Sequence, residues 1–273
     1  MKKLIFGAVA IAAIGIGPAL GADLPARVYT KAPSVADAVY NWTGWYAGVN
    51  GGYAWDNSSG RLDSFSTVGA TNFAPAVAAG GTPSFLGAKH EGGFGGGQVG
   101  YNWQMTKWLF GLETDIQGAS IGQTSTTVFP GGGGTVPSVS TGRDHLDWFG
   151  TFRGRVGVTA NNVLFYGTGG FAYGGVSSSV TNVYAPTTAG NFAGNSSSTR
   201  VGWVAGAGIE WGFAPNWSLK GEYLHIDLGS SNTTMFDPVS FPGAFATYRF
   251  HHELDTVRVG VNYRFGGPIV AKY

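Results

Sequence analysis

Apolar and polar residues alternate strictly near the end of the chain, in residues 256–265, which read T-V-R-V-G-V-N-Y-R-F. From Val257 to Phe265 every second residue is apolar, and the intervening positions hold polar or small residues that include two arginines. Successive side chains of a β-strand point to opposite faces, so this period of two predicts a strand with one apolar and one polar face. Such a strand needs partners, which the rest of the chain must supply.

The same alternation recurs along the chain and predicts eight strands. Their approximate bounds are residues 44–55, 92–103, 108–120, 145–158, 163–176, 200–213, 217–228 and 256–265. In the glycine-rich fifth strand the apolar face holds either Val163 and Phe165 or Leu164 and Tyr166, so its orientation is left open. Short turns alternate with long segments rich in Ser, Thr, Gly and Asn, at residues 56–89, 121–143, 177–199 and 229–250. This alternation predicts four long loops at one end of the sheet and short turns at the other.

Composition argues against a water-soluble barrel with the same strands. Charged residues make up only 11% of the chain, against about 25% in a typical soluble domain, whereas aromatic residues reach 14%. A soluble lipocalin-like barrel, the main alternative, needs a charged exterior that this composition does not provide. The formal net charge of +1 argues against a nucleic-acid partner. The absence of cysteine excludes disulfides, cysteine metal sites and thiol catalysis.

The first 21 residues have the features of a secretory signal peptide. Lys2 and Lys3 precede an apolar run, residues 4–16, and a small-x-small cleavage site follows at residues 19–21. A retained membrane helix is the alternative, but the run is shorter than the ~20 residues that such a helix needs. We therefore expect residues 1–21 to be removed and residues 22–42 to form an N-terminal extension in the periplasm.

An exported chain without a second long apolar run can span a bilayer only as a closed β-barrel. The sequence thus predicts an all-β fold, an eight-stranded antiparallel up-and-down transmembrane β-barrel at residues 43–273, inserted in the cell outer membrane. Aromatic residues gather near both ends of the predicted strands, as rings at the level of the lipid headgroups do. The predicted aromatic belts comprise Trp45, Trp103, Trp108, Trp148, Trp203, Trp211, Trp217 and Phe265.

Several segments of the chain resemble a known family. They are A-D-L-P after the signal, N-W-T-G-W-Y-A-G-V-N-G-G-Y, G-G-Q-V-G-Y-N-W-Q, D-W-F-G-T-F-R-G-R-V-G, W-S-L-K-G-E-Y-L and T-V-R-V-G-V-N-Y-R-F-G-G-P-I-V-A-K-Y. Together they resemble the alphaproteobacterial outer-membrane immunogenic protein (porin-like) family of rhizobia and Brucella, which is similar in design to the OmpA transmembrane barrel. The resemblance implies a barrel without catalytic residues, and some relatives are regarded as surface antigens or haem binders. One departure concerns the assembly signal, which in many barrels ends on a C-terminal aromatic residue. Here the strand pattern ends on Phe265, whereas the chain continues to Tyr273.

Charged residues of the predicted strands fall on the phase opposite to the aromatic residues and should point into the lumen. The predicted set is Glu113, Asp115, Arg153, Arg155, Glu210, Lys220, Glu222, Arg258 and Arg264. Eight strands leave an interior that side chains fill, and charges there must be paired. The set predicts an ion-pair network that plugs the lumen, and a narrow channel gated by exchange of pairs is the alternative.

Chemical sites are weakly indicated. His251 and His252 beside Glu253 are the best haem candidates, yet neighbouring residues of a strand point to opposite faces and should not bind one metal together. A Ser–His–acid arrangement cannot be recognised from sequence order, and we predict no enzyme activity, cofactor or metal. The predicted function is a structural and surface-contact role; the alternatives are a narrow diffusion channel and loop-mediated binding of haem or a host molecule. Expected partners are outer-membrane lipid, lipopolysaccharide, the barrel assembly machinery and surface or host ligands of the loops.

Overall fold

A computed structural model describes residues 40–56, 59–67, 73–87, 90–131, 136–185 and 190–266. These residues form ten strands and one short helix, α1 (Ala74–Ala78), which lies between β2 and β3. The strands are β1 (Gly44–Asp56), β2 (Ser59–Phe65), β3 (Phe85–Gly87), β4 (His90–Met105), β5 (Trp108–Phe129), β6 (Ser138–Ala160), β7 (Val163–Tyr184), β8 (Asn191–Ala214), β9 (Trp217–Asp237) and β10 (Phe241–Arg264). Among the described residues no helix is long and apolar enough to cross a membrane. The predicted signal peptide, and the predicted N-terminal extension apart from residues 40–42, lie outside the described residues.

Eight of these strands close into a ring. β1 pairs with β4, each strand from β4 to β10 pairs with the next, and β10 returns to pair with β1. All of these pairings are antiparallel, and Val49 of β1 lies opposite Val261 of β10. The prediction of a closed antiparallel barrel is confirmed, although the whole sheet has ten strands rather than eight. Below, the end with the short turns is called the lower end and the opposite end the upper end.

The strands extend much farther toward the upper end than the sequence predicts. β5 to β10 contain between 21 and 24 residues each. The predicted bounds of the loops 121–143, 177–199 and 229–250 were therefore wrong, because most of these residues belong to strands. Outward positions of this region are largely polar, as at Ser197 and Asn232, so no apolar alternation marks the strands.

The length of these strands exceeds what a bilayer needs. At about 3.3 Å per residue and a tilt near 40°, a strand of 22 residues rises roughly 55 Å along the barrel axis. The apolar band of an outer-membrane barrel is only about 25 Å tall. The polar upper half of the wall is therefore long enough to project beyond the lipid.

The first predicted loop, residues 56–89, contains β2, α1 and β3 rather than an irregular segment. β2 pairs with the upper part of β10, and β3 pairs with β2. These two strands continue the wall above β1 and β4, which are shorter than the other strands of the ring. Phe73 and Leu86 from this segment are buried with Phe192 and Tyr248 in an apolar cluster of the upper barrel.

The lower half of the wall is apolar outside and mostly polar inside, apart from a small buried cluster that includes Leu109 and Leu164. Val49 and Phe171 expose 68% and 66% of their surface on the outside, whereas polar Gln98 and Asn102 are buried inside. Side-chain exposure also shows which residues of the fifth predicted strand, which is β7, face outward. Phe165 is 54% exposed and Leu164 is fully buried, so the odd-numbered residues of β7 face outward in this region.

The predicted belt residues lie on the outer wall at two heights. Those near the lower end, each between 44% and 59% exposed, are Trp45, Trp103, Trp108, Trp211, Trp217 and Phe265. Farther up, Trp203 is 49% exposed and Trp148 is half-buried, with its ring centroid 6.1 Å from that of Tyr173. Neighbouring rings touch across strands, as Trp217 does with Tyr263 at 5.0 Å between centroids. This placement is the one that amphipathic rings adopt at a lipid–water boundary.

Candidate functional site: the charged lumen

Eight of the nine charged residues predicted to face the lumen lie together in one buried layer of the lower barrel. The layer comprises the acids Glu113, Asp115, Glu210 and Glu222 and the bases Arg153, Arg155, Lys220 and Arg258, each 4% exposed or less. Four negative and four positive formal charges balance, which burial in a low-dielectric interior demands. Their placement follows from the period of two, since alternate residues of one strand share the inner face.

The register of the barrel sets acids directly opposite bases on neighbouring strands. The opposed pairs are Glu113 with Arg153, Glu210 with Lys220, and Glu222 with Arg258. Cross-strand pairs of opposite charge stabilise a sheet, whereas like charges in the same positions destabilise it. Register alone therefore brings the charges within reach before any side chain is placed.

Glu113 is the centre of the network. Its carboxylate contacts four cations, namely Lys220 Nζ at 3.0 Å, Arg155 Nη1 at 3.2 Å, Arg258 Nη2 at 3.5 Å and Arg153 Nη2. The side chain of Glu113 is fully buried. An isolated carboxylate would be very costly here, so these cations are what make its ionised form tolerable.

Two further acids are bridged by arginines. Asp115 Oδ2 accepts hydrogen bonds from Arg153 Nη2 at 3.0 Å and from Arg258 Nη1 at 3.1 Å. Glu222 accepts one from Arg153 Nη1 at 2.9 Å and another from Arg258 Nε at 2.6 Å. Because each guanidinium reaches several acids with its planar fork, the layer is one connected network rather than a set of separate pairs.

Arg155 lies between two tyrosines. Its guanidinium carbon is 4.1 Å from the ring centroid of Tyr166 and 5.5 Å from that of Tyr46, and its Nη2 donates to Glu210 at 2.8 Å. The Tyr166 hydroxyl donates to Glu222 at 2.8 Å. Cation–π contacts and hydrogen bonds to charged groups thus fill the space around this arginine.

A row of amides extends the network, and the sequence analysis did not include it. Asn50 donates to Gln98, Gln98 Nε2 donates to Asn262 Oδ1 at 2.6 Å, and Asn262 Nδ2 donates to Glu210 Oε1 at 2.8 Å. Ser218 donates to the same Glu210 oxygen at 2.5 Å. These residues lie on the inner phase of their strands, so the alternation that found the charged residues also marks them.

Arg264 was predicted to join the network, and this prediction was wrong. Its Nη2 donates to the backbone carbonyl of Pro215 at 2.6 Å, and its guanidinium carbon lies 4.6 Å from the ring centroid of Tyr40. Arg264 is the last residue of β10 and therefore reaches the lower rim, where the turn between β8 and β9 supplies a carbonyl. Its phase is inward as expected, but its height is too low for the acids.

An apolar layer fills the lumen directly above the charges, and the sequence analysis missed it. Its buried members are Ala54, Phe94, Ile121, Leu146, Phe149, Ala172, Val176, Val204, Leu224, Ile226, Leu228 and Leu254. Phe94 and Phe149 meet edge to face, with ring centroids 5.2 Å apart. On β9 the inward positions change from Lys220 and Glu222 to Leu224, so one face of one strand is first charged and then apolar. Ion pairs therefore account for only part of the material that closes the lumen.

The two candidate histidines point to opposite sides of β10, as predicted from their adjacency. His252 is inward and 7% exposed, and its Nδ1 lies 3.2 Å from Asp144 Oδ2. The His252 Nε2 atom lies 2.9 Å from Ser231 Oγ. His251 is outward and nearly half exposed. The structure thus assembles a Ser–His–Asp series from β9, β10 and β6, which sequence order could not show.

The Ser–His–Asp series lies between the apolar layer above the charges and the apolar cluster of the upper barrel. Ser231 is 3% exposed and Asp144 is 6% exposed. The cavity beside Asp144 and His252 has a volume of about 20 Å³, with Leu146 among its lining residues. A cavity of this size holds about one water molecule. The cavity therefore offers no room for an organic substrate.

Comparison with known proteins agrees with this architecture. Residues 30–265 match the family of the outer membrane protein beta-barrel domain. The chain is 35% identical over 269 residues to the 31 kDa outer-membrane immunogenic protein of Brucella melitensis, which covers 97% of this chain and all of the Brucella protein. It is 30% identical over 179 residues to the 22 kDa outer membrane protein of Rhizobium leguminosarum, covering 65% of this chain and 69% of that protein.

Among solved structures, the outer membrane protein OprG of Pseudomonas aeruginosa is similar with a TM-score of 0.44 and 12% identity, over 85% of this chain and all of OprG. The Brucella and Rhizobium relatives are both named as outer-membrane proteins. The family match covers most of the chain, and the closed barrel with its apolar outer wall agrees with it. The chain therefore belongs to the outer-membrane β-barrel family, together with the Brucella immunogenic proteins.

Proposed function

We propose that the protein is a non-conducting structural barrel of the outer membrane whose upper half makes contacts at the cell surface. The charged layer is the observation that carries this proposal, because Glu113 alone holds four cations across the lumen. A solute that crosses must separate several buried ion pairs and then displace the packed rings of Phe94 and Phe149. Both steps are costly in a close-packed interior.

The surface-contact part of the proposal rests on the upper wall. Strands β5 to β10 are about twice as tall as the apolar band requires. Most exposed residues there, such as Ser197, Thr199 and Asn232, offer hydrogen-bonding groups, and apolar side chains such as Val128 are fewer. The Brucella relatives are named immunogenic, which describes those proteins and is consistent with display of the corresponding region here.

The lumen can be tested directly by transport measurements. We expect the purified protein to give no single-channel conductance steps in planar bilayers, because charged and apolar layers both close the lumen. We expect liposomes that contain it to swell in monosaccharide solution no faster than protein-free liposomes. A general porin is the positive control, and heat-modifiable migration in detergent gels shows that each sample is folded. Conductance steps or sugar-driven swelling from folded protein would instead support the narrow diffusion channel.

We also propose that the protein is not a hydrolase, although Ser231, His252 and Asp144 have the contacts of a catalytic triad. Ser231 is almost fully buried, so an acyl group cannot reach its Oγ atom. We expect no covalent labelling of Ser231 by a fluorophosphonate probe, measured by mass spectrometry of the folded barrel. Ser231→Ala is the matched blank. Labelling of the wild-type protein that the variant abolishes would reverse this part of the proposal.

A further inference from the structure

A second cluster of titratable side chains lies on the outer wall, apart from the lumen. Asp227 on β9 is directly opposite Glu253 on β10, and the β9–β10 ladder shifts register between His251 and Glu253. Asp227, His251 and Glu253 each offer one ligand atom, and these atoms all lie within 4.8 Å of one another. All three residues are partly exposed on the face that carries Trp203, at the upper edge of the apolar surface.

Two carboxylates and one imidazole meet in this cluster. Two carboxylates directly opposite each other on neighbouring strands repel, which destabilises the pairing of β9 and β10 at this point. The His251 Nε2 atom lies 2.9 Å from Glu253 Oε1, so an imidazole is already within contact distance of one carboxylate. An imidazole nitrogen together with two carboxylates is a common ligand set for divalent transition metals.

The orientation of two of the three ligands, His251 and Asp227, is supported by neighbours outside the set. The other ring nitrogen of His251, Nδ1, lies 3.0 Å from Ser230 Oγ. A metal ion at Nε2 would displace the proton that this nitrogen donates to Glu253, and Nδ1–H would then donate to Ser230 Oγ and fix the ring. The Asp227 carboxylate is held by the backbone N–H of Gly229 at 2.7 Å and by the indole N–H of Trp203 at 3.2 Å.

We propose that Asp227, His251 and Glu253 bind a divalent transition-metal ion, with Zn²⁺ the best match, on the outer wall of the barrel. Zn²⁺ takes nitrogen and oxygen ligands at about 2.0–2.2 Å, which places the ligand atoms of a tetrahedral site about 3.3 Å apart. Side-chain rotations would have to bring the three atoms, which lie within 4.8 Å of one another, to this spacing. The exposed side of the cluster leaves the fourth position open to water.

The test uses full-length mature protein without a polyhistidine tag, folded in detergent micelles. Isothermal titration with Zn²⁺ is expected to show one site. We expect His251→Ala and Glu253→Gln each to weaken binding by about 10-fold or more, and Ser230→Ala, which removes only a supporting contact, by about 10-fold. Co²⁺ bound to the wild type should give a visible absorption band that His251→Ala removes. Mg²⁺ at equal concentration should not compete.

His145→Ala is the matched control, because His145 is an exposed, outward histidine of β6 and lies outside the proposed ligand set. Its Zn²⁺ affinity should stay close to that of the wild type. Heat-modifiable migration confirms folding of every variant. The assignment is overturned if the wild type binds no Zn²⁺, if His251→Ala and Glu253→Gln bind it unchanged, if His145→Ala loses as much affinity as they do, or if Mg²⁺ competes equally.

Discussion

Replacement of Glu113 by alanine is expected to lower the free energy of unfolding of the barrel by about 3–5 kcal/mol, because it leaves buried cations without their shared carboxylate. Lys220 and Arg155 would lose one of the closest negative charges in the lumen. The measurement is urea unfolding of the detergent-folded protein, followed by tryptophan fluorescence and by heat-modifiable gel migration. A midpoint that moves far toward lower urea is the expected result.

Two further variants separate charge from packing. Glu113→Leu combined with Lys220→Met removes one charge of each sign, so we expect the double variant to be more stable than Glu113→Ala alone. Glu91→Ala removes an exposed glutamate of β4 and should change the unfolding free energy by less than about 0.5 kcal/mol. If Glu113→Ala and Glu91→Ala unfold at the same urea concentration, the charged layer does not hold the barrel together.

Replacement of Phe149 by alanine is expected to lower the free energy of unfolding by about 3–5 kcal/mol, because it leaves a cavity in the apolar layer of the lumen. Phe149 is 1% exposed and meets Phe94 edge to face. The same urea unfolding measures the loss. A double-mutant cycle with Phe94→Ala should give a coupling of about 0.5–1.5 kcal/mol, the usual worth of an aromatic pair beyond its buried area.

Phe152→Ala is the control for this prediction. Phe152 lies three residues further along β6, faces outward and is 49% exposed. Lipid can fill the space that this ring occupies on the outer wall. We therefore expect Phe152→Ala to lower the free energy of unfolding by less than about 1 kcal/mol. Equal losses for Phe149 and Phe152 would mean that the apolar layer contributes no more than the lipid-facing wall.

Sequence alternation was sufficient to predict the lower barrel. In β10, the run from Val257 to Phe265 has one apolar face toward lipid and one polar face toward the lumen, so period, phase and register are all strongly constrained. The same reasoning placed Glu113 and Arg153 on the lumen side of neighbouring strands, because a one-residue shift would have put their charges into lipid. Prediction succeeds where the two faces of a strand meet different environments.

The upper barrel and the apolar layer lacked that contrast. Residues such as Ser197 and Asn232 belong to strands whose outer face is polar, so their alternation carries no hydrophobic signal. Leu224 and Ile226 point into the lumen. The prediction assigned apolar residues to the lipid side and did not extend the inward phase of β9 to these two positions. Arg264 was misplaced because phase gives the side of the wall but not the height of a side chain along the barrel.

The Ser231–His252–Asp144 series shows another kind of limit. Its members come from three strands that are far apart in sequence, and their contact depends on the tilt of the strands and on the register of the closed ring. The Asp227–His251–Glu253 cluster is more local, because two adjacent strands supply it. Even there, the register shift between His251 and Glu253 could not be foreseen from the alternation.

The pairing of β10 with β1 also determines when the barrel can become complete. It joins segments from opposite ends of the described chain, so the last strand must be present before the ring can close. Contacts this distant in sequence form slowly, because a large loss of chain entropy precedes them. Until then both edge strands carry unpaired backbone groups beside an apolar surface, a combination prone to aggregation. A chain shortened before β10 would therefore give an open, aggregation-prone sheet rather than a smaller barrel.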